Sequence, residues 1–231
     1  MSFDVYAGGF ARYFAREWEN VVQKHARETG MEYRMIRPGN DPGPAKWEDV
    51  QAAVGHWKAA LKQGLGPNDP GDIDWNEGRD APYFTDRPGW DGYSALVVMA
   101  ACAACQEPLP ERIAEDSLTS DVVMRAQAAN FQGHYQAITR VQLWLPGSFE
   151  FSFDFVDLCN EKTHVGSLSR FVQELDVLMQ VYGITEEQLA AAQPGGKDDT
   201  EFLPVARFGL AVFRQVAGNA LKSRLPMMLS F

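Results

Sequence analysis

Between residues 137 and 156 the apolar period of the chain changes from the helical value to 2, and afterwards it returns. "AITRVQLWLP" (137–146) leads into Pro146-Gly147, a turn pair. "SFEFSFDFV" (148–156) then alternates again. Two alternating runs across a short turn predict a β-hairpin over 138–156. Helical periods dominate elsewhere, so the expected class is α+β. It is predominantly helical, with a small, mainly antiparallel sheet that includes this hairpin.

"FDVY" (3–6) reads as a strand. Phe10, Tyr13, Phe14, Trp18, Val21, Val22 and His25 recur at helical spacing, predicting a helix over 10–29 with Gly30 as its C-cap. "MEYRMI" (31–36) alternates as a strand, and "RPGNDPGP" (37–44) is a loop. Trp47, Val50, Val54, Trp57 and Leu61 predict a helix ending near Gly64. The stretch 93–105 is apolar all round and reads as a buried helix. A short helical piece is expected over Glu111–Asp116 and a helix over 121–137 capped by Ser120. A helix opens at Ser167, Thr185 to Gln188 forms a capping box, and a last helix runs over 201–223. At 231 residues without an internal repeat, the chain is expected to be a single domain, 1–231, with a long acidic-aromatic loop at about 65–92.

The net charge of −10 and pI near 4.9 argue against nucleic acid, whose phosphates recruit Lys and Arg. The N-terminal segment lacks a basic stretch followed by an apolar run, so no secretory signal is expected. The run Ala95–Cys105 is too short to span a bilayer. The expectation is a cytoplasmic protein with no membrane partner. Cys102 and Cys105 form a lone C-x-x-C late in an apolar helix, and Cys159 stands apart. A structural zinc site needs two further ligands at matching spacing. The thiols are therefore expected to be reduced and structural, with no metal and no cofactor.

Glu150 and Asp154 share one face of the expected strand but lie roughly 13 Å apart along it, from the strand rise per residue. Glycosidase carboxylate pairs stand about 5 Å or about 6.5–9.5 Å apart, so these two make no dyad. The four alternating Phe residues, 149 to 155, are expected to bury one face, on the order of 6–12 kcal/mol of gross hydrophobic free energy. No nucleophile elbow, P-loop, dinucleotide fingerprint or H-E-x-x-H is present, and no catalytic residue is assigned.

The least periodic region is "NDPGDIDWNEGRDAPYFTDRPGWDGY" (68–93). From 69 to 91 it carries seven acids against two bases, a net −5, half the charge of the chain. Asp72-x-Asp74-x-Asn76 resembles the start of a calcium loop, but Glu77 stands where Gly is needed and Tyr83 where a bidentate Glu is needed. Aromatic residues among acids also suit a protein interface facing a basic partner. The plain alternative is a surface loop tied down by its own Trp and Tyr residues. The partner-binding candidates are Asp72, Asp74, Trp75, Glu77, Asp80 and Trp90. Asp91 is read as a helix cap.

Trp144, Leu145, Pro146, Phe149 and Phe151, followed by Val165, Gly166, Ser167, Glu174 and Leu175, carry a resemblance. "WLPGSFEFSF" and "HVGSLSRFVQELDVL" look like a pattern in uncharacterised bacterial proteins associated with immunity proteins of polymorphic-toxin and type VI secretion systems. The resemblance covers about residues 144–178. It implies a cytoplasmic protein that binds and neutralises a cognate toxin, with a basic toxin domain as partner, and it carries over no functional residue. The rival expectation is a small-molecule, hydrolase-like enzyme with a pocket near Asp91, His134 and Glu150. A further one is a structural subunit of a phage or secretion particle. The sequence leaves oligomeric state open.

Overall fold

The computed structural model describes residues 3–33, 43, 45–128, 135–195 and 201–230. Its elements run β1 (Asp4–Ala7), α1 (Phe10–Phe14), α2 (Val21–Thr29), α3 (Trp47–Leu65), β2 (Phe84–Asp86), α4 (Gly89–Cys105), α5 (Asp121–Ala128), α6 (Gln136–Thr139), β3 (Leu143–Leu145), β4 (Phe153–Val156), β5 (Lys162–Ser167), α7 (Leu168–Val181), α8 (Glu186–Ala190), α9 (Phe202–Ser223) and β6 (Met227–Ser230). The strands form one sheet in the order β2-β1-β6-β3-β5-β4. β3 and β5 pair in parallel and the other pairs are antiparallel, so the α+β class holds.

The sheet separates two apolar layers. On one face Val5, Ala7, Trp144, Met227 and Leu229 pack against α4, α7 and α9. On the other, Leu143, Leu145 and Val165 pack against α1, α3 and the loop residues Ile73 and Trp75. Period-2 alternation puts neighbours of one strand into different layers.

The expected hairpin over 138–156 is not formed. β3 and β4 run antiparallel, but β5 lies between them, so each strand bonds to β5 rather than to the other. Residue pairing runs Leu143 to Val165 to Phe153 across the three strands. The turn after β3 does occur: Gly147 has φ 128, and its carbonyl accepts from the hydroxyls of Ser167 at 2.7 Å and Ser169 at 3.2 Å. That contact ties the turn after β3 to the end of β5. The true hairpin joins β4 to β5. Its turn is held by the Asp157 carboxylate, which accepts from the backbone of Cys159 and Glu161 at 2.8 Å each. Of the four Phe residues, Phe149 is buried and Phe153 and Phe155 are half-buried, but Phe151 is 38% exposed. It precedes β4, so the pleat does not continue to it.

Other boundaries also moved. The helix expected over 10–29 is two helices. Arg16 takes a left-handed φ of 60, and Asn20 starts α2 with a capping box through Gln23. Gly30 ends α2 with φ 69, as expected. No helix forms over 111–116; Arg112 there bridges to Glu201. Of the strand expected over 31–36, residues 31–33 take no regular structure and 34–36 lie outside the described residues. The caps at Ser167 and Thr185 are present. Among the described residues, no helix is long and apolar enough to cross a membrane.

Candidate functional site

The loop at 65–92 is pinned by its apolar side chains. Ile73, Trp75 and Ala81 are buried. The Trp75 ring meets Phe10 edge-on at 5.2 Å between centroids, and the Lys58 ammonium sits 4.2 Å from its centre. The Glu77 carboxylate accepts from the backbone N–H of Ala11 at 2.8 Å and from the Trp75 indole. Burial pushes the Glu77 carboxyl upward, and these hydrogen bonds hold it down in part. Asp74 pairs with Lys58, which holds its carboxyl below the usual carboxylate range. Asp72 is half-buried, with one carboxylate oxygen close to Gly147.

The six residues expected to bind a partner therefore divide. Trp75 is 7% exposed, so it supplies core rather than contact area. Asp72 and Glu77 are turned into the protein. Asp74, Asp80 and Trp90 reach the surface, with Trp90 41% exposed and its ring 4.8 Å from Phe3. The calcium reading has no support in this geometry. Asp74 is tied to Lys58, and the Asn76 side chain accepts from the Gly78 N–H at 2.8 Å. Among the described residues, no group of three or more His, Cys, Asp or Glu side chains could hold a metal.

The rival pocket does not assemble from what is described. Asp91 is exposed in the first turn of α4, where its charge complements the helix N-terminus, and it does not cap α4. Glu150 pairs with Arg170 at 3.1 Å. His134 lies outside the described residues. Cys102 is buried, and burial pushes its thiol up to about 11, far from a reactive thiolate.

A different polar cluster sits on the outer end of the sheet. Asp154 of β4 and His164 of β5 are direct cross-strand partners. Asp154 Oδ1 lies 2.8 Å from His164 Nδ1, and Ser152 Oγ lies 2.9 Å from His164 Nε2. Lys162 Nζ reaches the other Asp154 oxygen at 2.8 Å. Lys162, followed by His164, holds the Asp154 carboxyl at about 2. His164 and Asp154 line an open recess of about 310 Å³ with Gln127, Arg140, Gln142 and Thr163. On the opposite face a cleft of about 380 Å³ is walled by Phe10, Tyr13, Phe14, Trp57 and Met228. Both depressions share Gln142, Lys162 and Thr163 at the end of β5.

From sequence, neither Ser152 nor His164 stands out, and Asp154 is weighed only against Glu150. The available signal was S-x-D with a histidine ten residues later, across a tight Asp157–Glu161 turn. The turn's Asn160, with a left-handed φ of 63, is the residue type that marks it.

Comparison with protein-family models, with curated proteins and with solved structures found no match to this chain.

Proposed function

We propose that the chain acts by binding another protein. In its specific form, it is a cytoplasmic immunity protein that neutralises a basic toxin domain, such as one delivered by type VI secretion. The observation that carries this reading is the fixed geometry of the acidic loop. Its buried Ile73 and Trp75 and its internally bonded Glu77 hold a stretch almost without regular structure in one conformation. A surface ordered before binding loses less entropy on association. Asp74, paired with Lys58, and Asp80 are both exposed on that frame. Rim charges of this kind set partner choice and association rate.

The test compares three tagged proteins in pull-downs from the native host under rising salt. These are the wild type, Asp80→Lys with Trp90→Ala, and Glu115→Lys, an exposed acid outside the loop. The expected result is one stoichiometric partner that salt releases, about thirty-fold weaker with the loop variant and unchanged with the control, the lower range of a hot-spot loss. Expression of that partner alone should be toxic and co-expression should relieve it. A partner indifferent to the loop variant moves the interface elsewhere. No partner at any salt overturns the reading.

A further inference from the structure

The Ser152–His164–Asp154 cluster has an order that strand pairing alone does not require. The β4–β5 register accounts for Asp154 standing opposite His164. It does not call for a hydroxyl on the far ring nitrogen, where Ser152 Oγ sits at 2.9 Å. Asp154 is ionised and can only accept a hydrogen bond, so at a neutral ring it is His164 Nδ1 that carries the proton. That leaves Nε2 as the acceptor facing the serine hydroxyl. Hydroxyl, imidazole and carboxylate then stand in the order in which a base activates a serine and an anion orients the base. Lys162 holds the second Asp154 oxygen and restricts rotation of the carboxylate.

The Ser152 hydroxyl lies in a small depression with Glu150 and Arg170, and the wider recess on the other side of the imidazole, lined by His164 and Asp154 but not by Ser152, offers room for the rest of a substrate. Arg140 and Lys162 line that recess together with the neutral side chains of Gln127, Gln142 and Thr163, and Asp154 is its one acid. It is thus locally cationic on a chain of net charge −10. We infer that Ser152, His164 and Asp154 form a nucleophilic site that hydrolyses small carboxylic esters whose acyl part carries a negative charge. Ser152 Oγ bonds to the ester carbonyl carbon while its proton passes to His164 Nε2. The tetrahedral adduct then expels the alcohol oxygen, which takes that proton and leaves an acyl-serine. A water molecule, deprotonated by Nε2, attacks the acyl carbon. The acid departs and the proton returns to Ser152 Oγ. Asp154 is a positioning residue throughout. This activity rests on no part of the protein-binding reading.

The experiment labels the wild-type protein with a fluorophosphonate probe and maps the adduct by mass spectrometry. A single adduct on Ser152 is expected. His164→Ala should lower its rate by on the order of 10²-fold or more, the usual contribution of a positioned base. Asp154→Ala should lower the rate and Asp154→Glu should restore most of it, a rescue by the conservative variant that a merely structural loss does not produce. Turnover of mono-p-nitrophenyl succinate should exceed that of p-nitrophenyl acetate, and Arg140→Ala should remove the preference. No adduct on Ser152 in the wild-type protein overturns the proposal, as does an adduct formed equally fast in His164→Ala. Because the wild-type adduct decides the question, misfolding of a variant does not obscure it.

Discussion

Gly209 of α9 lies against Gly92 of α4 with no side chain between the two backbones. A Cβ placed on Gly209 would stand 2.7 Å from the Gly92 carbonyl carbon and nearer still to its oxygen. A Cβ on Gly92 would meet the Gly209 Cα at 3.3 Å. The two longest apolar helices of the larger core layer meet at this point. Each glycine costs helix stability in isolation, up to about 1 kcal/mol against alanine, so close approach has to outweigh that cost. Gly209→Ala should lower the urea midpoint by an amount equivalent to about 2–3 kcal/mol, the upper range of overpacking. Gly92→Ala should cost less, because its contact is looser and the gain in helix propensity offsets part of it.

Asp4 and Arg87 form a two-pronged pair, with Nε at 2.7 Å from one carboxylate oxygen and Nη2 at 3.1 Å from the other. Asp4 is 4% exposed, while the Arg87 side chain is 31% exposed. The pair fastens the loop end at β2 and α4 to the first strand. Arg87→Met leaves a charged carboxylate buried without its partner and should destabilise by about 3 kcal/mol, the lower range for breaking a buried pair. Asp4→Asn keeps a hydrogen-bond acceptor and leaves the unpaired charge on the more exposed partner, so it should cost about 1–2 kcal/mol. Thermal melts of both variants against wild type give the order.

Glu174 is buried on α7, and burial lifts its carboxyl to about 7, with Arg170 at 3.1 Å and the Ile138 N–H at 3.2 Å resisting the rise. The folded protein therefore holds a proton that the unfolded chain releases near its ordinary value of about 4.3. Stability from this group is complete below that value and is lost as pH rises to about 7. The loss over this window is on the order of 3 kcal/mol, since each unit of displacement is about 1.4 kcal/mol. Glu174→Gln should narrow the difference in urea midpoint between pH 4.5 and pH 8. An unchanged difference means that Arg170 keeps Glu174 ionised throughout.

Local signals were legible wherever neighbours in sequence are neighbours in space. The caps at Gly30, Ser167 and Thr185 need only three to five residues, and the structure has them. The apolar-all-round stretch near 93–105 is the buried α4. The break between α1 and α2 was also present in the sequence, as Asn20 followed by Gln23 at capping-box spacing, but the continuing apolar period concealed it. β6 was missed for a different reason. Met227–Ser230 lies between two strands and is covered on both faces, so it shows no polar alternation. Trp75 was misjudged because an aromatic residue among acids looks the same in sequence whether it faces a partner or the Phe10 and Trp57 rings.

The sequence by itself determined the α+β class, the positions of α3, α4, α7 and α9, the acidic balance and the chemistry available at each position, because these follow from composition and from short-range periodicity. Tertiary structure decided which strand lies beside which, that Trp75 and Glu77 hold the acidic loop in place, and that Ser152, Asp154 and His164 meet. Strand pairing is a contest among distant segments, won by total burial and hydrogen bonding across the sheet. The Gly147 carbonyl, shared by two serines some twenty residues further on, is one of the contacts that favour β5 beside β3.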